Sequence, residues 1–145
     1  FHTALDTSGY ASWAILKKIL RYVDLVLYDI KVIDSKTHKE ITGVVNEIIL
    51  DNAIKISNNK RTWLRYAVIP GFNDSESCAE EIAVFASKLA FEKVSLLPYH
   101  ALGAQKYERL GRDSFLNDLS SPTNESLQNI AEIFKSFGFD VTIGY

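Results

Sequence analysis

The chain has 145 residues, 47% hydrophobic and 23% charged, which is the balance of an ordinary folded domain and excludes a disordered segment. A formal charge of −2 gives no attraction for nucleic acid or an anionic membrane, and the single cysteine, Cys78, excludes an internal disulfide or a cluster held by four of the chain's own thiolates. No apolar run approaches the roughly 18 residues of a membrane span and the N-terminus lacks the plan of a signal peptide, so the expected location is cytoplasmic.

The chain opens at Phe1 directly on a strand-like run and contains no methionine, so it reads as a piece of a longer protein. "HTALDT" is short, apolar and followed by the turn-former "SGY", which predicts a strand. "ASWAILKKILRYV" then sets Trp13, Leu16, Ile19 and Leu20 on one helical stripe. "DLVLYDIK" is nearly continuous in its apolar residues, as a strand covered on both faces requires. "DSKTHKEITG" offers an N-cap at Asp34 or Ser35 and a stop at Gly43.

A helix is expected over "NEIILDNAIKISNN", with Ile48, Ile49, Ala53 and Ile56 facing inward, and "RTWLRYAVIPG" predicts a strand stopped by Pro70 and Gly71. "SESCAEEIAVFASKLA" is a serine-capped helix, "EKVSLLPY" a strand, "TNESLQNIAEIFKSFG" a capped helix ended by Gly138, and "FDVTIG" a last strand. Strict alternation predicts an α/β fold of parallel strands joined by right-handed crossovers. An open doubly wound sheet and a partial (β/α) barrel both satisfy it. The barrel is favoured because four consecutive strands carry polar residues at their C-terminal ends, where barrels build sites.

Side chains alternate across a strand, so Leu27, Asp29 and Lys31 share a face, as do Arg65, Ala67 and Ile69. Asp29 and Lys31 read either as an ion pair at the barrel mouth or as the two poles of a site for a ligand bearing amino and carboxylate groups. Arg65 is the lone charge in "WLRYAVIP" and needs a partner, which a ligand carboxylate or Asp29 could supply. Asp6 and Thr7 end the first strand, where Asp6 by itself reads as an N-cap for the helix that follows.

His100 follows "LLPY"; Pro98 and Gly103 take the chain out of the sheet there and present the imidazole at the rim, beside an apolar wall suited to a flat base such as adenine. His2 and His38 read as surface or hydrogen-bonded structural histidines, and Cys78 as a packing residue. No glycine-rich phosphate loop, nucleophile elbow or HExxH motif is present.

Together "LDTSGY", "DLVLYDIK", "THKEITGVVNEIIL", "RYAVIPGFND", "LLPYHALGAQKY" and the closing "GFDVTIG" resemble the glycyl-radical-enzyme activating enzymes, of which pyruvate formate-lyase activating enzyme is typical. The motifs occur in family order and span the chain. The resemblance implies a radical S-adenosylmethionine enzyme, in which a [4Fe-4S] cluster reduces bound S-adenosylmethionine and a 5′-deoxyadenosyl radical takes hydrogen from a glycine of a partner enzyme. Residues 1–145 would be the C-terminal part of that domain, the later strands of a (β/α)6 three-quarter TIM-like barrel. The CxxxCxxC cluster loop and the glycine-rich motif that receives the methionine amino group have no counterpart in this sequence.

Carried over by position, the resemblance gives Asp6, Asp29, Lys31, Arg65, Ala67, Leu97 and His100 to S-adenosylmethionine, with Leu97 and His100 flanking the adenine. It gives Asp6, Thr7, Leu27 and Asp29 to a monovalent cation. The implied partners are a glycyl radical enzyme, pyruvate formate-lyase or a relative, and reduced flavodoxin or ferredoxin as electron donor. Without the cluster cysteines this chain alone is expected to be inactive. Two other readings stand beside this one: a non-catalytic nucleotide- or protein-binding domain, and a different barrel enzyme using Asp29, Lys31 and His100 for acid-base work. An open sheet edge rich in "LVLY" also predicts that the isolated piece dimerises.

Overall fold

The computed structural model describes residues 1–99 and 120–144. In chain order the elements are β1 Ala4–Thr7, α1 Trp13–Ile19, β2 Leu25–Asp29, α2 Ser35–Thr42, α3 Glu47–Ser57, β3 Arg61–Val68, α4 Glu76–Ser87, β4 Phe91–Pro98, α5 Asn124–Ser136 and β5 Val141–Ile143. Helix starts follow local chemistry. Asp34 Oδ1 accepts the Thr37 N–H, Ser75 Oγ that of Cys78, and Thr123 Oγ1 that of Ser126, each filling one orphan donor of a first turn. His100, Gly103, Lys106 and Tyr107 of the fourth-strand motif lie outside the described residues.

The five strands are parallel and stand in the order β1-β2-β3-β4-β5. That order decides between the two architectures. A doubly wound sheet reverses at a switch point so that helices cover both faces, whereas strands added always on the same side by crossovers of one hand leave all helices on one face. Burial agrees with the second case. Val26, Tyr28, Leu64, Tyr66, Val68, Val94 and Leu96 are 0% exposed, while the alternate residues Leu25, Leu27, Asp29, Trp63, Arg65 and Ser95 are only half-buried. The sheet is that of a partial (β/α) barrel, with an open inner face.

The core lies between the buried face and the helices, with Leu16 and Leu20, Ile49 and Ile56, Ala79 and Ile82, and Ile130 and Phe134 as its helical contributions. Two residues expected inside are outside: Ile19 is 42% and Ile48 38% exposed. Neighbours on a helix point about 100° apart, so with Leu20 and Ile49 facing the core the residues preceding them turn away. A second cluster, Val32, Ile41 and Ile69 with Phe72 and Tyr99 against it, closes the region beyond the strand ends.

The loop after β1 is shaped by contact with this core. Gly9 has φ +71 and lies against the Tyr28 ring, where an added Cβ would overlap the tyrosine hydroxyl. Only glycine meets both the left-handed backbone and the close approach. The Tyr28 hydroxyl donates to Ile49 O at 2.6 Å, and burial raises its pKa, so it stays a donor.

Candidate functional site

Register determines which strand-end residues can meet. Asp29 pairs across with Arg65, Arg65 with Ser95 and Ser95 with Thr142, while Asp6, Leu27 and Trp63 form the next row toward the strand starts. All lie on the open face, where polar side chains reach across strands.

Arg65 is the hub. Its side chain is 14% exposed, its Nη1 donates to Asp6 Oδ2, and its Nε stands 3.4 Å from Asp29 Oδ1. Lys31 Nζ is 3.8 Å from Asp29 Oδ2. Two cations and two carboxylates thus form one relay across three strands. Asp6 is not an N-cap: α1 begins after Ser12, and Asp6 stays within β1. Arg65 takes Asp29 as a partner, one of the two options its sequence left open, and Asp6 as well.

Asp29 is held above the ordinary carboxylate value of 3.8, chiefly because burial disfavours its charge; Lys31 and Arg65 pull the other way and Asp6 adds to the rise. Its Oδ1 is buried and, beyond the 3.4 Å ion pair with Arg65 Nε, makes no regular hydrogen bond among the described residues. A charged oxygen left in that state costs free energy that a bound donor would recover.

Beside the relay is an apolar slot of about 200 Å³, lined by Leu27, Trp63, Arg65, Ser95, Leu97 and Gly144. Leu97 is paired with Ala67 in the ladder. Trp63, Ser95 and Gly144 were not singled out from the sequence. The first two are two residues before Arg65 and Leu97, so strand alternation alone could have placed them on this face.

Thr7 does not join the group: it alternates with Asp6, and its hydroxyl accepts the Gly9 N–H at 3.0 Å. Leu27 offers an ion only its backbone carbonyl. Of the four positions given to a monovalent cation, the carboxylates of Asp6 and Asp29 are bridged by the Arg65 guanidinium. Among the described residues no group of three or more His, Cys, Asp and Glu side chains could hold a metal ion. Cys78 lies in the first turn of α4, among the helices that cover the other face. His38 is a buried structural histidine, its Nδ1 2.7 Å from Val44 O, and His2 is exposed.

Three buried asparagines, none predicted as functional, secure the loops at this end of the sheet. Asn52 Nδ2 donates to Gly9 O and Ala11 O, Asn46 Nδ2 to Val32 O and Ile33 O, and Asn73 Nδ2 to Lys31 O and Ala67 O. Each fastens a strand-end loop to a segment distant in sequence.

No protein-family model matches the chain. A solved domain of pyruvate-formate lyase-activating enzyme from Bacteroides vulgatus superposes on 100% of the chain and 82% of its own with a TM-score of 0.82 and 28% identity. A radical SAM methyltransferase from Sphaerobacter thermophilus superposes on 98% of the chain and 40% of its own with a TM-score of 0.69 and 19% identity, so the chain shares that fold. Among curated proteins, the 4-hydroxyphenylacetate decarboxylase activating enzyme of Clostridioides difficile (strain CD196) is 37% identical over 99% of the chain and 46% of its own length. Pyruvate formate-lyase 1-activating enzyme of Escherichia coli (strain K12) is 32% identical over 97% of the chain and 58% of its length. Along nearly its whole length the chain is similar to activating enzymes of glycyl radical enzymes, and it spans about half the length of these relatives.

Proposed function

We propose that the chain is the C-terminal part of a glycyl-radical-enzyme activating enzyme and forms one wall of its S-adenosylmethionine site. The observation that carries this is the adjacency of the Asp6–Arg65–Asp29–Lys31 relay to the apolar slot at Leu97. S-adenosylmethionine joins an amino group, a carboxylate and a sulfonium to a flat base, and so needs mixed charges next to an apolar wall.

In this reading Asp29 accepts from the ligand's cationic end and Lys31 faces its carboxylate. Arg65 holds both carboxylates in place, and Ala67 is small enough to leave room between Arg65 and Leu97. His100, outside the described residues, is kept as the second adenine neighbour because it follows β4 by two residues. When bound together, the cofactor and a reduced [4Fe-4S] cluster supply the 5′-deoxyadenosyl radical that takes hydrogen from a glycine of the partner. The one thiol of this chain does not fit the cluster, so the ligands come from outside it and the isolated chain is expected to be inactive.

The partner is a glycyl radical enzyme such as pyruvate formate-lyase or an aryl decarboxylase, the electron donor reduced flavodoxin or ferredoxin, and the setting an anaerobic cytoplasm. Among the described residues no helix is long and apolar enough to cross a membrane. Calorimetric titration of the cluster-loaded full-length protein with S-adenosylmethionine tests the site. Asp29→Ala and Leu97→Ala should each weaken binding by about tenfold or more. Parent-like binding in both, or equal affinity of the parent for adenosine, would turn the reading toward a plain nucleotide-binding domain.

A further inference from the structure

We infer that Asn73 is a positioning residue for the cofactor site, setting the place of Lys31 by fastening its backbone to the end of β3. The inference rests on the reading above. Asn73 is 0% exposed in the turn after β3. Its Nδ2 donates to Lys31 O at 2.6 Å and Ala67 O at 2.8 Å, its Oδ1 accepts the Ile69 N–H at 2.6 Å, and its own carbonyl accepts the Tyr66 hydroxyl. Both amide protons are therefore spent on carbonyls from two neighbouring strand ends.

The two carbonyls differ in what else holds them. Ala67 sits inside the β3–β4 ladder, paired with Leu97. Lys31 lies beyond β2, whose ladder ends at Asp29, and the last tie before it is the Ile30 N–H to Arg65 O. Among the described residues, Asn73 is the only hydrogen-bond partner of the Lys31 backbone. Loss of the Asn73 amide thus frees Lys31 first and leaves β3 in place. An aspartate would keep the size and the Ile69 contact, yet set a charged oxygen against two carbonyl oxygens in a buried site.

The experiment uses the cluster-loaded full-length protein carrying Asn73→Asp, Asn73→Ser, Asp29→Ala or the core variant Ile82→Ala. Thermal stability is measured together with calorimetric affinity for S-adenosylmethionine and for 5′-deoxyadenosine, which lacks the amino-acid end. Both Asn73 variants should bind S-adenosylmethionine about tenfold more weakly while holding 5′-deoxyadenosine within about twofold. Ile82→Ala should lower the Tm and bind both ligands like the parent. Asn73→Ser keeps one donor and so retains the fold if the aspartate variant does not. A lowered Tm with parent-like binding makes Asn73 merely structural, and equal loss for both ligands means that it does not act through Lys31; either overturns the inference. Should Asp29→Ala also bind like the parent, it is the underlying site reading that fails.

Discussion

On the helix-covered face of the sheet the side chains are apolar or, like Tyr28 and Tyr66, carry one hydroxyl that donates to a backbone carbonyl at its edge. On the open face, one residue away along each strand, Arg65, Asp29, Lys31 and Asp6 lie half-buried or exposed with charges bridged to one another. The first face minimises what water could still stabilise. The second keeps polar side chains in reach of solvent and at least one atom, Asp29 Oδ1, with an ion-pair contact but no regular hydrogen bond among the described residues. Stability and binding are thus assigned to alternate positions of the same strands, so neighbouring residues should respond to substitution in opposite ways.

Truncation gives the largest contrast. Leu64→Ala empties a site that is 0% exposed, and it should cost about 3 kcal/mol in urea unfolding. Leu27→Ala, on the open face at a half-buried position, should cost about 1 kcal/mol or less because the space it leaves is open to water. Equal losses would mean that the inner face is packed like a core, against the picture of an open mouth.

Gly9→Ala comes next. It combines a left-handed backbone with overlap on the Tyr28 hydroxyl, and should cost about 2 kcal/mol by the same measurement. A mild result would mean that Tyr28 moves freely, so that the helix-covered face is less tightly determined than its burial implies.

Much of this division was legible in the sequence. Period-2 alternation put Asp29 with Lys31 and Arg65 with Ala67, and strand-end polarity favoured the barrel that the strand order supports. Pairing across distant segments was not legible. Arg65 and Asp6 are 59 residues apart and meet only because three strands stand side by side, so Asp6 read as a local cap. Asn73 drew no reading of its own from the sequence, because one of its two acceptors, Lys31 O, is 42 residues away. Ile19 and Ile48 failed for another reason: stripe counting cannot tell which of two adjacent apolar residues a helix turns inward until its partner surface is known.

The smallest expected effect is a pH dependence, and its sign separates the two faces. Asp29 titrates above 3.8 in the fold, mainly through burial, so between 3.8 and its raised value the folded chain binds the proton more tightly than the unfolded one. Its contribution to stability is fully present below 3.8 and is lost as the pH rises through the folded value. Asp29→Asn has no charge to bury, and the other titrating groups are common to both proteins. The stability of the variant relative to the parent should therefore increase across that window and then level off, as urea midpoints at a series of pH values would record. If the parent instead gains on the variant as the pH rises, Arg65 and Lys31 outweigh desolvation, and the relay is a closed ion-pair network with nothing left for a ligand. A gain seen only when S-adenosylmethionine is present would show its cationic end supplying what the fold withholds from Asp29.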